Sequence, residues 1–282
     1  MGNIFLLMSR PPPPAHPKSH DSSPKGPLAP HHLDRGTAIV AKALAYLHPE
    51  LKHPERIPSG GVLLVGNHAL MGIDSFGLYP LLWKHLRRLP RGLGDRALFK
   101  VPAIGQIFER VGAIEGQPEQ AERLLREGEM CLVYPGGSAE SFKGRDQRYQ
   151  LVWENRLGFA RLAIAAQVPV VPIMAAGIDH AYRFLFRDRL LVRHIAGQGK
   201  ARYDFPVSIG LGVLPLPVQF TYHVGEPLYP PKGAELAQDP AAVSAFQLQV
   251  WQTAQRQLDA AVAEWQASPR SWLDELARSF AG

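Results

Sequence analysis

Residues 60–82 read "GGVLLVGNHALMGIDSFGLYPLL": a short apolar run, then Asn67 and His68, then Asp74 six positions further on. An apolar run of this length bounded by turn residues reads as a buried strand. The following "DSFGLYPLLWKHLRR", residues 74–88, reads as a helix with Asp74 or Ser75 available as its N-cap. Strand, loop and helix in that order form the repeating unit of an α/β protein, and the loop after such a strand is where a reactive side chain is exposed.

The same alternation continues outward from this stretch. A helix is expected over 36–51, another over 118–128 ("PEQAERLLREG"), and a strand in "MCLVYPGG", 130–137. A helix over 153–167 then leads into "VPVVPIMAAG", 168–177, whose β-branched residues mark a buried strand. In the tail, Val243, Val250, Ala254, Leu258, Val262 and Trp265 fall near one stripe of a docking helix. The fold class expected is α/β, a mainly parallel central sheet flanked by helices, with no internal repeat. Residues 36–282 are expected to form a single domain behind a disordered leader, 1–35, which carries "RPPPPAHP" and few periodic apolar residues.

The chain has 282 residues, 46% of them apolar, enough for one large α/β core. Its single cysteine, Cys131, lies in an apolar run and excludes an intrachain disulfide, which fits a reducing, cytoplasmic setting. The net charge of +6 is concentrated: residues 84–100 hold six Lys/Arg against one Asp, and residues 183–202 repeat that balance. Such clusters suit an anionic surface, whether phosphates, lipid headgroups or nucleic acid. Within 182–193, "YRFLFRDRLLVR" interleaves four arginines with aromatic and aliphatic residues, an arrangement suited to an anionic interface. No run reaches the roughly 18 apolar residues of a spanning helix, so the protein reads as soluble or peripheral at a membrane.

On a regular helix His68 and Asp74 would stand ~9 Å apart along the axis and roughly 120° around it. The intervening "ALMGI", with Gly72, must curl for the two to meet. A histidine there would take the proton of a substrate hydroxyl, with the carboxylate fixing its tautomer; the competing reading of Asp74 is a helix cap. The chain has no G-x-S-x-G elbow, no P-loop and no Cys or His spacing suited to zinc. A base without a better nucleophile points to direct transfer onto the substrate's own hydroxyl.

"GNHALMGID", "ALFKVPAIGQIFERVGAIEG", "LVYPGGSAESF" and "NRLGFARLAIAAQVPVVPIMAAG" occur in the order and approximate spacing of the four motif blocks of the glycerolipid (lysophospholipid-type) acyltransferase superfamily, and the chain resembles that family over about residues 60–180. "PVSIGLGVLPLPVQFTYHVGEPLYPP" is similar to the branch containing diacylglycerol acyltransferase-like and phytyl-ester-synthase-like proteins. The resemblance implies His68 as general base and Asp74 as its partner, with no bound cofactor or metal and with acyl-CoA or acyl carrier protein as co-substrate. It implies Lys100 and the Gly136–Gly137 backbone as oxyanion or donor-binding groups, and Glu140 and Arg161 on the acceptor.

Three departures from the family pattern follow. Phospholipid-acylating members usually place four residues between the histidine and aspartate, and this chain has five. Their third block is usually of the Phe-Pro-Glu-Gly-Thr-Arg type; here Gly136 and Ala139 stand where the Glu and Arg would be, and the nearest carboxylate is Glu140. Gln117 stands near the place of a phosphate-binding arginine. These changes favour a neutral lipid alcohol over lysophosphatidate. The rival readings are a lysophosphatidate or other lysophospholipid acyltransferase and a catalytically silent lipid-binding module. A nucleic-acid binder is disfavoured, because the basic clusters accompany no base-stacking or groove-reading motif.

Overall fold

The computed structural model describes residues 30–94, 113–115, 117–153, 155–188, 205–209 and 215–268. Strand β2 (Val62–Gly66), the apolar run of the opening stretch, is buried along its whole length. It pairs in parallel with β5 (Met130–Val133) on one side and β6 (Val170–Ala176) on the other. A strand covered on both faces needs continuous rather than alternating hydrophobicity, and "VLLV" supplies it.

From β5 the sheet continues through β3 (Arg91–Gly94) to β4 (Ile114–Glu115), both parallel. From β6 it continues through β9 (Thr221–Val224) to β1 (Glu50–Lys52). The full order is β1-β9-β6-β2-β5-β3-β4, and the β6–β9 pair is the antiparallel junction. A separate antiparallel ribbon joins β7 (Arg183–Asp188) to β8 (Phe205–Ile209). The expected mainly parallel α/β architecture is therefore the one observed.

Helix α1 (Pro30–Ala43) packs against α2 (Ile73–Leu86). Helices α3 (Pro118–Arg126), α5 (Gly158–Ala166) and α6 (Pro240–Ala267) form a separate row, with α6 lying on β6. Every member of the expected stripe on α6 is buried, and Asp239 caps its start by accepting the Ala241 N–H at 2.9 Å.

Several local expectations need correction. The helix expected over 36–51 begins earlier, at Pro30, and ends at Ala43; His48 adopts a left-handed conformation ahead of Pro49, and the chain then enters β1. The strand expected through Gly137 stops at Val133, and the helix expected from residue 153 begins at Gly158. The "YRFLFRDRLLVR" segment contributes a strand as far as Asp188; residues 189–193 lie outside the described residues. In the first basic cluster much of the charge is used internally. Arg88 donates to the carbonyls of Pro58, Gly60 and Gly128, Arg87 pairs with Asp34, and Arg91 lies near Glu129. Among the described residues no helix is long and apolar enough to cross a membrane.

Candidate functional site

The site is built at the carboxyl ends of β2, β5 and β6, where successive connections leave the sheet centre in opposite directions and open a crevice. Each strand contributes through the loop that follows it. After β2, the buried Asn67 side chain accepts the Ala175 N–H at 2.8 Å and donates to the Ala175 carbonyl at 2.9 Å. This extends the β2–β6 pairing by one side chain and fixes the chain immediately before His68.

The curl required of "ALMGI" is present. Residues Leu70–Gly72 form one 3-10 turn, and Gly72 takes φ +67°, a conformation that a side chain would strain, before α2 begins. The turn brings the His68 Nδ1 to 3.1 and 3.2 Å from the two carboxylate oxygens of Asp74. Asp74 Oδ1 also accepts the Ala69 N–H at 3.0 Å, and the Tyr222 hydroxyl donates to the Asp74 carbonyl at 2.9 Å. The N-cap of α2 is Gly72, and neither Asp74 nor Ser75 caps it through its side chain. The Asp74 carboxylate faces the imidazole instead.

Burial and charge tune this pair together. Asp74 is buried, which disfavours its charged form, but the facing imidazole, the Tyr134 hydroxyl and the Ala69 N–H outweigh that and hold its pKa below the ordinary value. Burial likewise disfavours a charged His68, and the Asp74 carboxylate more than offsets it, so the imidazole pKa lies above its usual value. The ring stacks on Tyr134, centroids 4.4 Å apart and 15° from coplanar. Ser75 shares a 2.9 Å hydrogen bond with the Tyr134 hydroxyl, holding that platform in place.

After β5, "YPGGSAES" makes a tight turn into the short helix α4 (Gly137–Ser141). The Gly137 N–H closes this turn on the Tyr134 carbonyl at 3.0 Å, so that N–H is directed inward rather than toward a substrate. Glu140 is buried, and its carboxylate accepts the His68 N–H at 2.8 Å and the Val152 N–H at 3.1 Å. Lys143 and Asp179, the latter following β6, form a buried ion pair at 2.8 Å.

His68, Glu140, Lys143 and Asp179, with Leu70, Arg148 and Tyr182, line a solvent-open cleft. Arg161 is not part of it: that side chain lies on α5 and donates to the Ala237 carbonyl at 2.7 Å. Lys100 lies outside the described residues. Asn67 and Tyr134 flank the histidine and third-block signatures and were legible there as neighbours, without a role. Lys143 and Asp179 come from different loops and carry no shared sequence signal.

The family described as Acyltransferase matches residues 48–176. The mouse protein named "DGAT1/2-independent enzyme synthesizing storage lipids" is 31% identical over 184 residues, 65% of this chain and 54% of its own length. The cattle protein of the same name is 32% identical over 185 residues, covering 65% and 53%. This chain thus spans about half the length of these curated relatives. A Mycobacterium leprae protein is 31% identical over 225 residues, 76% of this chain and 60% of its own. Among solved structures, the 1-acyl-sn-glycerophosphate acyltransferase PlsC of Thermotoga maritima superposes with a TM-score of 0.50 at 15% identity, covering 85% of this chain and 81% of that one, which is a likeness of fold.

Proposed function

Because the chain belongs to the glycerolipid acyltransferase superfamily, we propose that it moves a fatty acyl group from an acyl thioester, acyl-CoA or acyl carrier protein, to the hydroxyl of a neutral lipid such as mono- or diacylglycerol or a long-chain alcohol. The observation that carries this reading is the His68 Nδ1 held on the Asp74 carboxylate at the edge of an open cleft. With Nδ1–H donated to Asp74, Nε2 is the basic nitrogen. It takes the proton of the acceptor hydroxyl as the oxygen attacks the thioester carbonyl.

The tetrahedral intermediate then collapses, the C–S bond breaks, and the departing sulfur receives the proton from the imidazolium. No acyl-enzyme is required. Cys131 is unsuited to form one, since burial pushes its thiol up to about 12. Oxyanion stabilisation is assigned to the Gly136 N–H and, from its place in the second block, to Lys100.

The charge balance of the cleft supports a neutral acceptor. Among the described residues its lining lysine and arginine are Lys143, already paired with Asp179, and Arg148, which is likewise engaged. Asp74, Glu140 and Asp179 add three acidic groups in the same region. A phosphate brought here would find both of these cations engaged and acidic groups beside them, and desolvating it underpaired costs roughly 3–5 kcal/mol. The storage-lipid names of the mammalian relatives point the same way. In this reading the hydroxyl-bearing end of such a lipid meets His68 at the mouth of the cleft with its chains outside, as peripheral attachment at the cytoplasmic membrane face would require.

The test is lipid mass spectrometry after expression of the wild type and His68→Ala, followed by purified protein offered diacylglycerol and lysophosphatidate with one acyl donor in matched vesicles. His68→Ala is expected to lose on the order of 10²-fold or more of the transfer rate while remaining folded. Activity retained in that variant would end the mechanism. A preference for lysophosphatidate would replace the acceptor assignment alone.

A further inference from the structure

Glu140 was expected to contact the acceptor, yet both of its carboxylate oxygens are held by main-chain N–H groups, those of His68 and Val152. The carboxylate reaches these partners by folding back over the preceding turn. Position 136 makes that path possible: a Cβ there would overlap the Glu140 carboxylate and Cβ. The glycine that stands in place of the usual third-block glutamate is therefore the space through which a carboxylate from four residues later is supplied.

We propose that Glu140 is a positioning residue for His68: its carboxylate clamps the His68 main chain to residue 152 and, when ionised, places a negative charge beside the imidazole, setting both the orientation and the basicity of the base. The clamp has a second anchor, because Gln255 of α6 accepts the Leu151 N–H at 2.9 Å and donates to the Tyr149 carbonyl at 2.9 Å. The 149–152 segment is thus tied to the docking helix on one side and to the base on the other.

The charged groups facing Glu140 come from three loops: His68 after β2, Lys143 after α4 and Asp179 after β6. Burial pushes the Glu140 carboxyl up to about 7; Lys143 and the His68 N–H draw it down, and Asp179 pushes it further up. The ionised form of Glu140 in turn raises the pKa of His68, while Lys143 opposes it. A change at Glu140 must therefore register in the titration of His68.

The role in turnover rests on the acyl-transfer reading, but the titration does not, so the two are measured separately on the full chain. Histidine-selective NMR titration of wild type and Glu140→Gln, with the His68 resonance assigned by its absence in His68→Ala, is expected to show the His68 pKa moved down in the variant. Turnover with diacylglycerol and a long-chain acyl-CoA is expected to lose kcat on the order of 10²-fold, as for a misplaced reacting group, with the acceptor KM little changed. Its acidic limb should move to lower pH.

Gly136→Ala provides a second route, since it keeps the carboxylate in the chain and the 136 N–H in place but displaces the Glu140 side chain. The same downward movement of the His68 pKa is expected there, including where Glu140→Gln does not fold. An unmoved His68 pKa in a folded variant would overturn the proposal. So would a raised acceptor KM with kcat intact, which would return Glu140 to the acceptor. A pKa shift accompanied by no acyl transfer in the wild type would uphold the clamp and reject the reaction.

Discussion

The Asp74 carboxylate is shared among the His68 ring, the Ala69 N–H and the Tyr134 hydroxyl. Asp74→Asn keeps the volume but removes the charge and leaves an amide that can accept through one oxygen. Transfer is expected to fall on the order of 10²-fold or more. Because the Asp74 charge raises the His68 pKa, its loss should move the acidic limb of the rate profile to lower pH, even as the maximal rate drops. A variant that lowers the melting temperature and leaves both rate and limb in place would make Asp74 a structural group only. The pair was legible in the sequence because both residues and the glycine that curls the chain between them lie in one short stretch. Lys143 and Asp179 were not, since nothing local foretells that two loops after different strands will bury one ion pair between them. The reach of Glu140 back across Gly136 was equally hidden, because spacing shows that a carboxylate is absent and not from where another arrives.

Among the elements, α6 was the easiest to read, because its stripe repeats over 28 residues and every expected position is buried. The short strands were the hardest. β1, β3, β4 and β9 have two to four residues each, too few to show a period, and β3 reads "RGLG", which by composition is a turn. What makes them strands is pairing with distant neighbours, as Glu50 bonds the Phe220 carbonyl at 3.0 Å. The importance of α6 can be measured apart from chemistry. Leu258 is fully buried in it, so Leu258→Ala is expected to cost about 2–5 kcal/mol by lost burial and cavity formation, read from chemical denaturation. The rate constant of the molecules still folded should stay near that of the wild type, because Gln255 and Trp251, which tie α6 to the 149–152 segment, are untouched. A large loss of rate at full folding would show that the packing of α6 reaches the base directly.

At the scale of the whole molecule, surface charge bears on the proposed membrane attachment. With Arg87, Arg88 and Arg91 engaged by groups of the protein, Lys84 is an exposed cation of the first basic cluster, and peripheral attachment to a bilayer is a proposal that salt dependence can test. Each near-surface Lys or Arg contributes about 1 kcal/mol on an anionic membrane, so flotation with anionic vesicles is expected to weaken steadily as salt rises, with little recovery on neutral vesicles. Equal flotation on neutral vesicles at every salt concentration would make the attachment apolar instead. The lone thiol offers a view of the same molecule from inside. Cys131 is fully enclosed, paired in register with Leu63 of β2 and Arg91 of β3. An alkylating reagent can reach it only in molecules whose central strands have parted. Its labelling rate is therefore a built-in clock for opening of the sheet that carries His68, and it can be read by mass in crude extract, without purified protein, substrate or assay.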